Sequence, residues 1–185
     1  MRIITGTLKG RRIDIPKTLD VRPTTDRTKE SMFSVIEAHK YIDGARVLDL
    51  FAGSGNLGFE ALSRGAESVL FVDSERSNLK NIEKTADEFG VGDRVRTHCA
   101  TAEDFLGGMP TEYDFIFCDP PYDYPMMEEL VGHILEDGWL SETGWFLLEH
   151  DKRHHFEEHP HCFFSRAYGR TIVAIFQKQP VSNDS

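Results

Sequence analysis

The chain has 185 residues, 39% hydrophobic and 28% charged, which is enough for one domain with a substantial core. Its net charge of −10 argues against a general nucleic-acid binder, and no apolar run approaches the ~20 residues of a membrane span. The opening Met1-Arg2-Ile3-Ile4-Thr5-Gly6 has no apolar signal-peptide core, so a cytoplasmic protein is expected. Cys99, Cys118 and Cys162 are odd in number and fall in strand-like stretches; they read as reduced core residues.

Residues 2–5 and 11–15, around Leu8-Lys9-Gly10, predict an N-terminal β-hairpin. The first thirty residues carry eight basic and four acidic side chains, net +4, which leaves −14 for the rest. A basic arm (residues 1–25) on an acidic body suits local phosphate contacts, although such runs are more often simply solvated. Thr25 or Asp26 is placed to cap a helix reaching about His39, with Met32, Phe33, Val35 and Ile36 on its apolar face.

From residue 45 the pattern alternates. Strands are expected at 47–51, 68–72, 94–99, 113–118 and 145–149, and helices at 56–64, 78–89 and 126–136, with a short helix after residue 99. Residues 162–166 and 171–176 pair as a closing hairpin around Tyr168-Gly169-Arg170, and 181–185 form a flexible tail. This order predicts an α/β fold: a seven-stranded, mostly parallel Rossmann-like sheet, helices on both faces and an antiparallel C-terminal hairpin, in one domain over 1–180. Trp139 and Trp145 are expected to pack around a Gly-containing connection.

Gly53-Ser54-Gly55-Asn56-Leu57-Gly58 fits G-x-G-x-x-G between a strand and a helix, and Asp73 follows twenty positions after Gly53 at the end of the next strand. That pattern favours an adenosine-containing ligand, with Asp73 on the ribose diol and the glycines admitting close backbone approach. Charge then separates the candidates. Asp49 and Asp119 repel the pyrophosphate of NAD and suit the sulfonium and α-ammonium of S-adenosylmethionine. A structural role for Asp49, capping amides of the glycine loop, is the plainer alternative.

Asp119-Pro120-Pro121-Tyr122 follows the apolar run Phe115-Ile116-Phe117-Cys118. The prolines end the strand and leave an acid, a carbonyl and an aromatic ring at its carboxyl end, where open α/β sheets bind ligands. A flat ring bearing an amine can stack on Tyr122 and donate to Asp119 and the Pro120 carbonyl.

The run Val47-Leu48-Asp49-Leu50-Phe51-Ala52-Gly53-Ser54-Gly55, with Asp119-Pro120-Pro121-Tyr122, resembles the class I S-adenosylmethionine-dependent methyltransferases that modify exocyclic amines of bases. Adding Arg22-Pro23-Thr24-Thr25-Asp26-Arg27 and the opening six residues, roughly residues 1–178 resemble one family, the bacterial 16S ribosomal RNA guanine-N2 methyltransferases (RsmD). The resemblance implies S-adenosylmethionine as cofactor and 16S ribosomal RNA as partner, expected within a small-subunit particle; a monomer with no membrane and no metal is expected besides. It implies cofactor contacts at Asp49, Phe51, Ala52, Gly53, Ser54, Gly55, Asp73, Ser74, Thr101, Ala102 and Asp119. Catalysis falls to Asp119, Pro120, Pro121 and Tyr122, and RNA contacts to Arg11, Arg12, Arg22, Thr24, Thr25 and Arg27. The chain departs from the pattern at Thr101-Ala102, where such enzymes usually place Asp or Asn before a small residue.

The chemistry expected is direct methyl transfer to an exocyclic amine of a base that is unpaired or flipped out. Asp119 acts mainly as an electrostatic stabiliser, since an ordinary Asp with pKa near ~3.9 is a weak base. A DNA adenine-N6 methyltransferase shares this tetrapeptide and is the nearest rival, ahead of a cofactor-binding assembly factor without turnover and a NAD oxidoreductase. Five of the eight histidines fall within 150–161; their charged, loop-like setting without cysteine makes a metal site a weak expectation.

Overall fold

The computed structural model describes residues 1–17 and 25–180. Thr25 opens α1 (Asp26–His39), its Oγ1 accepting the Thr28 amide at 3.1 Å. There follow β1 (Arg46–Leu50), α2 (Asn56–Ser63), β2 (Ser68–Asp73), α3 (Arg76–Glu88), β3 (Val95–Cys99), α4 (Ala102–Leu106), β4 (Tyr113–Cys118), α5 (Met127–Glu136), β5 (Leu140–His150), β6 (Cys162–Tyr168) and β7 (Thr171–Phe176).

The seven strands lie in the order β3-β2-β1-β4-β5-β7-β6. The first five are parallel and β7 runs antiparallel to both of its neighbours. Strand side chains alternate between two cores. Val47, Phe115, Phe117, Leu147 and Ile175 meet Met32, Phe33 and Ile36 of α1, Phe59 of α2 and Ile82 of α3 on one face. Leu48, Ile116, Phe146, Leu148 and Phe176 meet Leu106 of α4 and Leu130, Val131 and Ile134 of α5 on the other. The α5 positions recur at three and four residues, the spacing of a single apolar stripe.

The fold matches the expected class, with differences in detail. The opening hairpin is one antiparallel bridge, Arg2 with Arg12, closed by Ile3 N–H to the Arg11 carbonyl at 2.9 Å. It is packed down rather than extended: Ile3, Leu8 and Ile13 are buried, and the Ile4 and Thr5 amides donate to the Glu60 carboxylate on α2. β5 starts five residues before Trp145, because Tyr113 pairs with Leu140 before a register shift. Both tryptophans are buried as expected. Cys118 is buried and Cys162 half-buried, but Cys99 is exposed, since β3 is the sheet's edge strand. No helix among the described residues is long and apolar enough to cross a membrane.

Candidate active site

In the strand order, β1 lies between β2 and β4, so the crossovers leaving β1 and β4 diverge there. The crevice at such a switch point is where open α/β sheets hold ligands. Because Leu50 pairs with Cys118, Phe51 and Asp119 leave adjacent strand ends together. The turn after β1 is backbone-strained: Phe51 has φ +56°, a left-handed conformation unusual for an aromatic residue, and Gly53 and Gly55 follow at +56° and +82°. Sequence reasoning had no signal for the Phe51 strain.

Asp73 organises this loop. Its carboxylate accepts the Gly53 amide at 2.8 Å, the Glu75 amide at 2.8 Å and the Asn78 side-chain amide at 3.2 Å. Asp49 is buried and accepts the Gly58 amide at 3.0 Å in the first turn of α2, the capping role foreseen as the plainer alternative. Burial pushes the Asp49 carboxyl well above the usual range; the Gly58 bond opposes this, and the charges of Asp119 and Asp73 add to it. Asp73 and Asp119 thus lie close enough to Asp49 for their charges to act on it at the crevice, a grouping of carboxylates that disfavours an anion.

Packing by itself requires two of the three motif glycines. A Cβ on Gly58 would stand 2.3 Å from the Phe71 ring, and one on Gly55 would stand 2.8 Å from the Phe59 ring. Gly55 also needs its positive φ.

A cavity of about 130 Å³ lies beside the loop, lined by Phe51, Val72, Asp73, Ser74, Ala100, Thr101, Ala102 and Glu103. Five residues expected to hold a cofactor thus meet in one place. Thr101 is the N-cap of α4, its Oγ1 accepting the Asp104 amide at 3.1 Å. Ser54 is buried and its hydroxyl meets the Met1 sulfur at 3.4 Å. Tyr124 was missed by sequence reasoning. Its ring meets Phe51 edge-on at 5.2 Å and its hydroxyl bonds the Glu103 carboxylate. That bond holds Glu103 below the usual carboxylate range, while burial and then Glu103 push the Tyr124 hydroxyl up. The only sequence signal was a second aromatic two positions after Tyr122.

Pro120 is buried, Asp119 and Tyr122 are half-buried and Pro121 is exposed. The Tyr122 hydroxyl lies 2.7 Å from Thr171 Oγ1, which ties the ring to the start of β7. The turn closes with the Tyr124 amide on the Pro121 carbonyl at 3.0 Å.

The described residues among those expected to meet RNA are spread over the N-terminal segment and the start of α1. Arg11 donates to the Glu88 carbonyl at 2.7 Å and stacks on Phe89 at 4.8 Å. Those residues close α3 where the chain turns back towards β3, away from the strand ends bearing Asp73 and Asp119. The Arg12 side chain is exposed, and Thr25 is engaged as the α1 cap. Arg27 is exposed on the first turn of α1. Arg22 and Thr24 lie outside the described residues.

Residues 1–177 match the protein family described as Conserved hypothetical protein 95. The chain is 34% identical over 149 residues to ribosomal RNA small subunit methyltransferase D of Escherichia coli K12, covering 80% of this chain and 74% of that one. The chain belongs to this family. Bacillus subtilis YlbH, named provisionally as an rRNA methyltransferase, is 39% identical over 191 residues, 97% of this chain and 100% of its own. Among solved structures, Escherichia coli yhhF, named provisionally as a methyltransferase, superposes with a TM-score of 0.85 at 29% identity, covering 98% of this chain and 99% of its own. The family's fold is therefore the Rossmann-like methyltransferase sheet described above.

Proposed function

We propose that the chain transfers a methyl group from S-adenosylmethionine to the exocyclic N2 amine of a guanine in 16S ribosomal RNA. The observation that carries this reading is the junction of Asp119-Pro120-Pro121-Tyr122 with the Phe51–Gly55 turn at the sheet's switch point. The named relatives support ribosomal RNA as the substrate class.

The residues present fit the cofactor by their chemistry: a partly open cavity beside Asp73, with Asp49 close by. Phe51, Ala102 and Thr101 would hold the adenine, Asp73 the ribose, and Asp49 with the Ala52–Gly55 backbone the charged end. When bound, the cofactor supplies an electrophilic methyl group. The chain's own residues do the rest. Asp119 and the Pro120 carbonyl accept the two N–H bonds of the amine, turning its lone pair outward and stabilising positive charge that develops on nitrogen. Tyr122, fixed through Thr171, stacks on the base, worth ~1–3 kcal/mol. Holding the reacting atoms in line is the larger contribution. The acidic body and the packed N-terminal segment suit a monomer of one domain that meets its RNA within a small-subunit particle.

Asp49 gives this reading a pH test. Its folded pKa is raised, so its charge is present only above that pKa and is lost as pH falls through it. Asp49→Asn keeps an acceptor for the Gly58 amide while removing the charge. The variant should lose affinity for S-adenosylmethionine more than for neutral-sulfur S-adenosylhomocysteine. The wild type's preference for the cation should fade on acidification, and the variant's should not. Calorimetric titration of both ligands across a descending pH series reads this; equal losses for the two ligands would show that Asp49 only caps α2.

The function itself is tested by incubating the protein with labelled S-adenosylmethionine and small-subunit particles lacking the modification. Nucleoside mass spectrometry should then find N2-methylguanosine. N6-methyladenosine, or no product, would overturn the proposal.

A further inference from the structure

A groove of about 580 Å³ runs between α1 and β6, outside the site described above. Arg27, Ser31, Ser34 and Ala38 form its α1 wall at three- and four-residue spacing, and Phe164 and Arg166 form its β6 wall. α1 runs antiparallel to β5: Lys29 near its start bonds Asn56 just after the glycine loop, and His39 at its end packs on Trp145. The Arg27 end of the groove therefore lies at the carboxyl ends of the parallel strands, where the candidate active site is. β6 reaches the same end, since Tyr168 pairs with Thr171, whose hydroxyl contacts Tyr122. Arg170 is exposed in that turn.

Arg27, Arg166 and Arg170 thus line a path that ends at Tyr122, on a chain whose net charge is −10. None of the three forms an ion pair among the described residues. Arg166 is held over the Phe164 ring at 5.3 Å, so its guanidinium is already placed. Glu30 is the carboxylate among the groove's lining residues; it sits beside Arg27 and limits the patch to phosphates that approach from the β6 side. Small hydroxyl side chains between these cations offer donors and no steric barrier, a surface that fits a phosphodiester backbone better than a folded protein.

We propose that this groove, with Arg27, Arg166 and Arg170, carries the single-stranded RNA flanking the nucleotide held at Tyr122. The proposal rests on the RNA reading of that site and deepens it. It joins Arg27, already expected to meet RNA, to a second wall on β6, while Arg11 is engaged with α3.

The test uses the full chain and a fluorescein-labelled, unstructured 20-nucleotide RNA, followed by anisotropy from 50 to 200 mM KCl. In the Arg166→Ala/Arg170→Ala double variant, the slope of log affinity against log salt should flatten by about 1.4, some 0.7 for each phosphate left without its arginine. Arg170→Glu should weaken binding further, and Arg11→Ala should leave the slope unchanged. Calorimetric binding of S-adenosylmethionine checks that each variant is folded, as both arginines are exposed. An unchanged slope in the double variant, or a wild type that does not bind the oligonucleotide, overturns the groove. A wild type that binds RNA with the expected arginine dependence yet yields no N2-methylguanosine overturns the proposed function and leaves the groove standing.

Discussion

Asp119→Ala should lower methyl transfer by about 10²–10³-fold, while affinity for S-adenosylmethionine changes by less than about tenfold. Asp119 stands at the end of β4, one residue beyond the Leu50–Cys118 pair, so it faces both the strained Phe51 turn and the Pro-Pro-Tyr segment. An exocyclic amine is a poor nucleophile because its lone pair is delocalised into the ring. A fixed acceptor for its N–H bonds changes that only as charge develops on nitrogen, so removing the acceptor costs rate more than binding. Asp119→Asn, which keeps an acceptor oxygen and loses the charge, should fall between the alanine variant and the wild type. Single-turnover kinetics on ribosomal particles, with calorimetric cofactor binding, separates the two effects. Near-wild-type turnover by Asp119→Ala would remove this residue from the chemistry, and a loss confined to cofactor affinity would make it a cofactor ligand alone.

The parts of this site that were legible in the sequence are those written in local pattern. β4 carries the continuous apolar run 115–118 and is ended by two prolines, so both its existence and its end are written in residues 115–121. Asp73 was legible because the acid falls where a second strand must stop. What was hidden depends on non-local contacts. The start of β5 at Leu140 rests on pairing with Tyr113 across polar residues 141–144, which show no strand alternation. Cys99 looked like a core residue until the strand order placed β3 at the edge. The need for glycine at position 58 comes from the Phe71 ring of β2, a contact that no local pattern shows. Arg11 carried a charge consistent with RNA, but its hydrogen bond to the Glu88 carbonyl, 77 residues away, is invisible to any local reading.

The largest stability effect should come from Lys29 on α1. It is completely buried. Its ammonium donates to the Arg2 carbonyl at 2.7 Å and to Asn56 Oδ1 at 2.8 Å, and pairs with Glu60 at 3.2 Å. Burial pulls the Lys29 ammonium below the usual lysine range, and Glu60 pulls it back up. Glu60 in turn accepts the Ile4 and Thr5 amides and pairs with Arg64, so the network joins the N-terminal segment, α1 and α2 around the first residue after the glycine loop. A buried network of this kind is costly when half broken, because each stranded partner keeps its desolvation penalty. Lys29→Met preserves the bulk and removes the donor, leaving the Arg2 carbonyl and Asn56 without their partner. The expected loss is about 3–5 kcal/mol, which for a chain of this size lowers the melting temperature by roughly 10 °C. A double-mutant cycle with Glu60→Gln should show strong coupling, since neither change leaves the other side chain a complete partner set. Because Asn56 opens α2, cofactor affinity should fall in the same variant. A melting temperature within about 2 °C of the wild type, or additive effects in the cycle, would mean that α1 and the glycine loop are held together by apolar packing of Met32, Phe33 and Ile36 alone.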